Sequence, residues 1–420
     1  MASGAAALAW ETAVLTLLTC CIALWLPRVD GAATAAQVSL GSFAACAVRP
    51  NGQAVCWGDN FGGNCGQGHD TSPLVDVAAQ PQINLGSAAL TVSAVHQGKD
   101  PANGFLCLLR SDGGMVCAGS NTYGRLGQGN VDVLGNNEPF SSIPPLVFHG
   151  GASAVRRIVM GHDSCCAVRD AAGDMVCWGK NNNGQLGQGN TVALGDTEAL
   201  ATVPPIVFPD PTLQIAAAAM GIEYACALFA NGAVLCWGQG DNGHLGTSST
   251  ANVGDTTNLA TASYVDMPAA VVPDDIDCGD NHCCVHSTGN EIYCWGQGAN
   301  GALGQGNSVD IGNDPFTAVM MLSAVQLPGG LSAKAVSCGG DESCAVLAND
   351  TVVCWGGNVG GYLGIGNMVA IGDEESENGT VAIRERGGGQ RNGVALDEFV
   401  ADIFAEITNR STELGIVPPE

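Results

Sequence analysis

The feature that most constrains this chain is a pair of cysteines that recurs six times. In each copy the second cysteine lies ten or eleven residues after the first and leads into Trp-Gly or, once, Ala-Gly. Successive copies are about 60 residues apart, which indicates one supersecondary unit repeated and stacked into a continuous core. The pairs are Cys46 and Cys56, Cys107 and Cys117, Cys166 and Cys177, Cys226 and Cys236, Cys284 and Cys294, and Cys344 and Cys354.

The spacing predicts that each copy is a β-hairpin with its two cysteines opposed. Between Cys46 and Cys56 the centre of the spacing falls on Pro50-Asn51-Gly52, a three-residue turn with glycine at the left-handed position. Directly opposed strand residues lie about 4.5 to 5.5 Å apart at Cα, a separation that a disulfide spans. We therefore expect six hairpin disulfides, which are typical of proteins in oxidising compartments.

Besides Cys20 and Cys21 in the N-terminal apolar stretch, five further cysteines have no place in these pairs. Cys65 stands where the other copies carry a leucine, which predicts a buried free thiol. Cys278 and Cys338 each lie six residues before a hairpin cysteine and directly precede a glycine, so they either bridge neighbouring copies or remain free. The five are Cys65, Cys165, Cys278, Cys283 and Cys338.

The two ends of the chain differ from the repeats. An apolar stretch from Ala13 to Leu26 is followed by small residues, which predicts a signal peptide over residues 1–33, with a retained signal anchor as the alternative. Residues 373–420 form an acidic tail whose apolar period from Leu396 onward predicts a short helix, with a degenerate last blade as the alternative. Three sequons offer glycosylation sites in a secreted protein. Their asparagines are Asn349, Asn378 and Asn409.

A second motif follows each cysteine hairpin. Gly-x-Leu-Gly comes a few residues after Trp-Gly, as in Trp178-Gly-Lys-Asn-Asn-Asn-Gly-Gln-Leu-Gly187. This combination resembles the repeat of the regulator of chromosome condensation family, and the resemblance covers residues 37–372. It implies an all-β fold, a β-propeller with one four-stranded blade per repeat. The six cysteine hairpins predict six blades. Seven, the usual number in that family, is the alternative.

Charge and motifs argue against several functions. The formal net charge of −26 repels nucleic acids and anionic membranes. Residues 238–243 and 296–301 match G-x-G-x-x-G, but they lie in repeat turns rather than before a helix, so we expect no dinucleotide. Four aspartates near one another suggest a solvated acidic loop more than a calcium site. They are Asp274, Asp275, Asp277 and Asp280. We expect no catalytic residue, cofactor or metal.

The function that these features favour is a non-enzymatic binding scaffold, secreted or at the cell surface. It would present propeller-face loops to an extracellular protein or glycan partner. The loops that vary most between copies are residues 97–104, 136–145 and 247–264. The alternative is an extracellular hydrolase or lyase with acids and a histidine around the propeller mouth. A structural coat component that self-associates is a third possibility.

Overall fold

The chain is built from a series of small antiparallel sheets. The computed structural model describes residues 37–41, 44–49, 51–71, 81–87, 89–100, 104–151, 154–169, 173–358, 363, 380–384 and 390–395. Within them, six three-stranded sheets follow one another along the sequence, each with its strands in chain order. Each sheet is one propeller blade, and we number the blades 1 to 6.

Each blade contains one cysteine hairpin, preceded by a first strand. The first strands of successive blades pack against one another and surround the propeller axis. The strands are β1 (Gln37–Leu40), β2 (Ala44–Val48) and β3 (Ala54–Gly58) in blade 1; β4 (Val92–Gln97), β5 (Phe105–Arg110) and β6 (Met115–Gly119) in blade 2; β7 (Val155–Met160), β8 (Ser164–Arg169) and β9 (Met175–Gly179) in blade 3; β10 (Ile215–Met220), β11 (Tyr224–Phe229) and β12 (Val234–Gly238) in blade 4; β13 (Pro273–Cys278), β14 (His282–Ser287) and β15 (Ile292–Gly296) in blade 5; and β16 (Ala333–Cys338), β17 (Glu342–Leu347) and β18 (Val352–Gly356) in blade 6.

The blades have three strands where the resemblance implied four. The segment in the fourth position is extended but makes few backbone bonds to the third strand. In blade 2 these are the bridge between Gly119 and Leu134 and one bond of 2.8 Å from Leu146 N to Met115 O. Pro144 and Pro145 lie directly before Leu146. Because proline has no N–H to donate, this segment cannot form a regular ladder.

Short 3-10 turns connect the strands, and the described residues contain no α-helix. Accordingly, no helix among these residues is long and apolar enough to span a membrane. The turns are Phe61–Gly63, Thr122–Gly124, Phe140–Ser142, Leu200–Thr202, Asp241–Gly243, Leu259–Thr261, Ala299–Gly301, Pro315–Thr317, Val319–Met321 and Pro328–Gly330.

The two sequence motifs meet where consecutive blades join. The buried indole of Trp178 in blade 3 donates its Nε1–H to the carbonyl of Arg125 in blade 2, at 2.9 Å. Arg125 is the variable residue of Gly-x-Leu-Gly, and its neighbour Leu126 is buried in the same junction. Trp237, Trp295 and Trp355 make the same bond to the preceding blade. The repeat therefore encodes contacts between blades as well as the blades themselves.

The junction between blades 1 and 2 has smaller residues on both sides than the later junctions. Ala118 takes the tryptophan position in blade 2, and Cys65 takes the leucine position in blade 1; both are fully buried in one apolar cluster. The prediction of a buried free thiol at Cys65 agrees with this placement.

The C-terminal tail contains a β-hairpin made of β19 (Thr380–Arg384) and β20 (Gln390–Ala395). The tail predicted as acidic and helical is therefore β-structured over these two segments. The helix predicted from Leu396, the signal segment 1–33 and the sequons at Asn378 and Asn409 lie outside the described residues.

Candidate functional site

The structure brings together all six cysteine pairs of the hairpins. Each pair is directly opposed in its sheet, as Cys46 is to Cys56, and each is joined as a disulfide with Cα atoms 4.0 to 4.1 Å apart. Cross-links that close loops this short contribute about 2 to 3 kcal/mol each on the chain-entropy model. They lie in the middle of the blades, so their role is structural.

A seventh disulfide joins Cys278 to Cys283. The bridge between Cys278 and Cys338 that the spacing suggested is not formed. Cys278 and Cys283 are directly opposed across the turn between β13 and β14, and in blade 6 Ser343 stands at the position of Cys283. Cys338 is therefore left as a buried thiol, together with Cys65 and Cys165. Burial raises the pKa of each of these thiols, which makes them poor nucleophiles.

The aspartates assigned to one acidic loop lie mostly on a strand. Asp274, Asp275 and Asp277 belong to β13, and only Asp280 lies in the following turn. Asp277 accepts hydrogen bonds of 2.9 Å from Ser337 Oγ and from the backbone N–H of Cys338. Asp275 and Asp277, two residues apart on the strand, share one face, whereas Asp274 contacts His286 Nδ1 at 2.6 Å; the expected solvated loop is therefore wrong for these three residues.

The two ends of the propeller carry different features. One end carries the turns between first and second strands and the loops that follow Trp-Gly. A hydrogen bond of 2.9 Å from Lys180 N, in such a loop, to Asp163 O, in such a turn, joins the two in blade 3. We call this end the acidic face. It comprises residues 98–100, 161–163, 221–223, 279–281 and 339–341 of the turns and 59–63, 120–124, 180–184, 239–243 and 297–301 of the loops.

The other end, the hairpin face, carries the turns between the paired cysteines. Asn349 lies there, exposed, in the turn of blade 6. Its Oδ1 accepts from Thr351 N at 3.1 Å and from Thr351 Oγ1 at 2.6 Å. Glycosylation of this asparagine remains a prediction.

A ring of acids gives the acidic face its name. An acid stands two residues after the glycine that follows the first strand in four blades; blade 5 has Asn281 there and Asp280 just before it. The four acids are Asp100, Asp163, Glu223 and Asp341. The cysteine spacing does not indicate this ring, but it becomes visible in the sequence when the copies are aligned on that glycine.

Most of these acids are fixed by a neighbouring side chain. Arg125 Nη1 donates to Asp100 Oδ2 and to Asp163 Oδ1, both at 2.8 Å. Lys180 of blade 3 donates to Glu223 of blade 4. In the same way, Asn300 Nδ2 of blade 5 bonds Asp341 of blade 6 at 3.3 Å. Apart from the bond to Asp100, which stays within blade 2, these contacts cross blade junctions, and they hold the carboxylates in set positions.

Burial also changes how these groups titrate. It raises the pKa of Asp163, against the opposing effect of Arg125. It likewise raises the pKa of Asp341, and the nearby carboxylate of Asp280 adds to that rise. His162 Nε2 lies 3.5 Å from Asp280 Oδ1. The face can thus present negative charge to a partner, and it also contains one histidine and carboxylate pair.

The axis beneath this face holds a further charged group. Arg157 on β7 interacts electrostatically with Asp275 on β13 and with His96 on β4. Burial raises the pKa of Asp275 to about 6, and Arg157 opposes that rise. Burial, with a smaller contribution from Arg157, lowers the pKa of His96 to about 4. Three first strands therefore contribute to this cluster, which no single repeat encodes.

The three loops expected to contact a partner lie in different places. Residues 97–100 and 104 are on the acidic face, whereas 101–103 lie outside the described residues. Residues 136–145 and 247–264 run along the blades, and each buries an apolar side chain, Phe140 in one and Leu259 in the other. These two segments therefore contribute to the packing between blades.

Comparisons with known proteins agree with this architecture. Two models of the regulator of chromosome condensation (RCC1) repeat match the chain, over residues 290–346 and 35–67. The ultraviolet-B receptor UVR8 of Arabidopsis thaliana is 28% identical over 249 residues, which are 59% of this chain and 50% of the receptor. The human E3 ubiquitin-protein ligase HERC2 is 30% identical over 196 residues, 46% of this chain and 4% of the ligase. The chain thus spans at most half the length of these relatives.

Solved structures show the same fold at low identity. Yeast RCC1 (Prp20) bound to Kap60 superposes with a TM-score of 0.61 at 19% identity, covering 89% of this chain and 83% of that one. Human WBSCR16 gives 0.56 at 20% identity, covering 72% and 69%. The chain is therefore a β-propeller of six described blades, and residues 35–67 and 290–346 of it are repeats of the regulator of chromosome condensation (RCC1) type.

Proposed function

We propose that this protein is a non-enzymatic scaffold outside the cytosol that binds a protein partner through its acidic face. The observation that carries the proposal is the ring of acids held in place across blade junctions by Arg125, Lys180 and Asn300. Charges fixed before binding cost little to organise when a partner docks. The partner surface that fits them is basic.

Two further features support the binding role. The chain has a net charge of −26, so an oppositely charged partner is attracted over a distance. The structures of the yeast propeller describe protein partners for that molecule, namely Kap60, Gsp1p and histones. A propeller offers many loops on a rigid base, and one fold supports many roles, so the partner of this chain has to be identified separately.

The location rests on the cysteines and the N-terminus. Disulfides in every blade favour an oxidising compartment, because cytosolic proteins rarely keep them. The apolar stretch from Ala13 to Leu26 favours secretion, or anchoring at the surface. A glycan partner would also be consistent with such a location, and the test below distinguishes it.

An extracellular hydrolase or lyase is the second candidate. The contact between His162 and Asp280 favours it, as does the raised pKa of Asp341 beside them. Substitution of Asp280 by asparagine would abolish turnover of a substrate in that case. A scaffold would lose affinity by the same change and would turn over nothing.

The direct test is to capture partners on the full chain secreted from a eukaryotic host and to join carboxylates to lysines with a zero-length cross-linker. We expect partner lysines to be linked to Glu223, Asp280 or Asp341 and capture to fall in Asp280→Asn. The control is Asp350→Asn on the hairpin face, where the carboxylate is largely exposed. Cross-links concentrated at Asp350, or a partner that is a glycan, would contradict the proposal.

A further inference from the structure

The acidic face also exposes two aromatic side chains, in blades 1 and 2. Phe61 is 62% exposed and Tyr123 is 40% exposed. Both lie in the loops that follow the end of the third strand, on the same face as the acids. Large apolar side chains grouped at the surface are typical of interaction sites.

The other copies of the repeat carry small or polar residues at these positions. The position of Phe61 is taken by Thr122, Asn182, Asp241 and Ala299 in blades 2 to 5. The position of Tyr123 is taken by Gly62, Asn183, Asn242 and Asn300 in blades 1 and 3 to 5. The aromatic residues are thus specific to two blades, and the fold does not require them.

The backbone conformation at position 123 makes a tyrosine there energetically unfavourable. Its φ of +59° lies in the left-handed region, as do Gly62 at +69° and Asn242 and Asn300 at +57°. Glycine and asparagine adopt that region readily, whereas a bulky aromatic residue does so with strain. Strain of this kind concentrates at functional sites, so Tyr123 points to a role in binding.

Two valines extend the apolar area. Val131 and Val133 of blade 2 are both exposed. A Cβ at Gly62 would lie 3.7 Å from Val133 Cγ1, so the loop with Phe61 rests beside Val133. Thr191 and Ala193 take their places in blade 3, and Ser308 and Asp310 in blade 5. We call Phe61, Tyr123, Val131 and Val133 the aromatic patch.

The charges around the aromatic patch indicate what it binds. Asp59 Oδ1 accepts from Phe61 N at 3.1 Å, and Asp132 lies exposed between the two valines. Lys180 Nζ lies 5.7 Å from the centre of the Tyr123 ring. An ammonium group therefore already packs on this aromatic face, as expected for a cation–π contact.

We propose that the aromatic patch binds an extended, basic segment of the partner protein. An arginine or lysine of that segment lies over Phe61, or over the part of the Tyr123 ring that Lys180 leaves exposed, while an aliphatic side chain packs on Val131 and Val133. Asp59 and Asp132 beside the patch, together with the ring of acids, complement the positive charge of the segment. This inference rests on the proposed binding function and adds to it the class of segment recognised and the residues that anchor it.

The test is selection of a random peptide library on the full chain, followed by calorimetric titration of the enriched peptides. We expect peptides rich in arginine or lysine with an adjacent aliphatic residue. We expect Tyr123→Asn and Phe61→Asn each to raise Kd about tenfold or more, as for aromatic anchors at interfaces. Asparagine already occupies both positions in other blades, at Asn242 and Asn182, so neither variant should impair folding.

The matched control is Phe316→Asn. Phe316 is 92% exposed in a turn away from the aromatic patch, so its loss should leave Kd unchanged. Failure to enrich any peptide, enrichment of acidic or uncharged peptides, or an unchanged Kd in both patch variants overturns the inference. Binding of a glycan array that Tyr123→Asn abolishes also overturns it.

The variants distinguish an error in the role given to the aromatic patch from an error in the proposed binding function of the acidic face. Peptide binding that weakens in Asp280→Asn but not in Tyr123→Asn keeps the acidic face as the binding surface and removes the patch. Peptide binding that weakens only in Asp350→Asn contradicts both, because it places the contact on the hairpin face.

Discussion

Two blade junctions place different chemistry at the same position of the repeat. Between blades 2 and 3, the buried guanidinium of Arg125 lies 4.8 Å from the centre of the Phe105 ring. Between blades 4 and 5, the buried ring of His244 stacks on Tyr224 at 4.3 Å. Both aromatic residues begin the second strand of their blade. The two junctions therefore have the same backbone arrangement and differ in the charge of the side chain that packs on the ring.

The neighbouring blade accounts for that difference. Arg125 donates to Ser120, Asp100 and Asp163, whereas neither ring nitrogen of His244 has a hydrogen-bond partner among the described residues. The position of Asp163 is taken in blade 5 by Asn281. A buried cation is tolerated where the next blade supplies an acid, and a neutral ring suffices where it does not.

The largest expected effect is loss of the buried cation. Arg125→Met should lower the free energy of unfolding by about 3 to 5 kcal/mol, because two acids, two backbone carbonyls and the Ser120 hydroxyl lose their donor. His244→Met at the equivalent position should cost about 1 kcal/mol, since it keeps the packing on Tyr224 and breaks no hydrogen bond. Urea denaturation of both variants measures the contrast. Equal losses would show that charge does not distinguish the junctions.

The charge of one junction can be transferred to the other. His244→Arg alone should be destabilising because the next blade offers Asn281 in place of an acid, and Glu223, at the position of Asp100, already pairs with Lys180. Adding Asn281→Asp should restore about 1 to 3 kcal/mol of the free energy of unfolding, because the new carboxylate interacts directly with the new guanidinium. A double-mutant cycle on the free energy of unfolding gives this coupling. Additive effects of the two substitutions would show that residue 281 does not face residue 244.

The neutral histidine makes its junction sensitive to acid. Burial lowers the pKa of His244 to about 4 in the folded protein, below its usual value in the unfolded chain. The stability that depends on the neutral ring is therefore full above about pH 6.5 and is lost as the pH falls toward 4, amounting to about 2 kcal/mol by pH 5.

His244→Met should remove this part of the pH dependence. His96 and His282, whose pKa values burial also lowers to about 4, act in the same direction, and Asp275 acts in the opposite one. All three are present in both proteins, so the difference between the two denaturation series isolates His244. If the free energies of unfolding of the two proteins change in parallel from pH 8 to pH 5, His244 does not cause this pH dependence.

The smallest expected effect concerns the loops before these two residues. Tyr123 precedes Arg125 as Asn242 precedes His244, and both adopt positive φ. Tyr123→Asn should raise the free energy of unfolding by about 1 kcal/mol, because asparagine tolerates this backbone region. Asn242→Tyr should lower it by a similar amount. Thermal unfolding of the two variants suffices, and a loss of stability in Tyr123→Asn would show that the ring is needed for packing.

Sequence patterns predicted the local features best. The spacing of Cys46 and Cys56 implied an opposed pair, which the register of β2 and β3 shows. The pairing of Cys278 was missed because the comparison ran between copies, whereas its partner, Cys283, lies across the next turn. Asp274, Asp275 and Asp277 were predicted in a loop but lie on a strand, where Arg157 interacts electrostatically with Asp275 and Ser337 donates to Asp277.

The sequence by itself determined the repeat, the hairpins and the propeller fold, because these depend on residues close together in the chain. Only the tertiary structure decided which side chains meet across the junctions. Arg125 reaches Asp163, 38 residues away, and Lys180 reaches Glu223, 43 residues away. The packing of one blade on the next selects these partners, and it also gathers the acids and aromatic residues of separate blades onto one face.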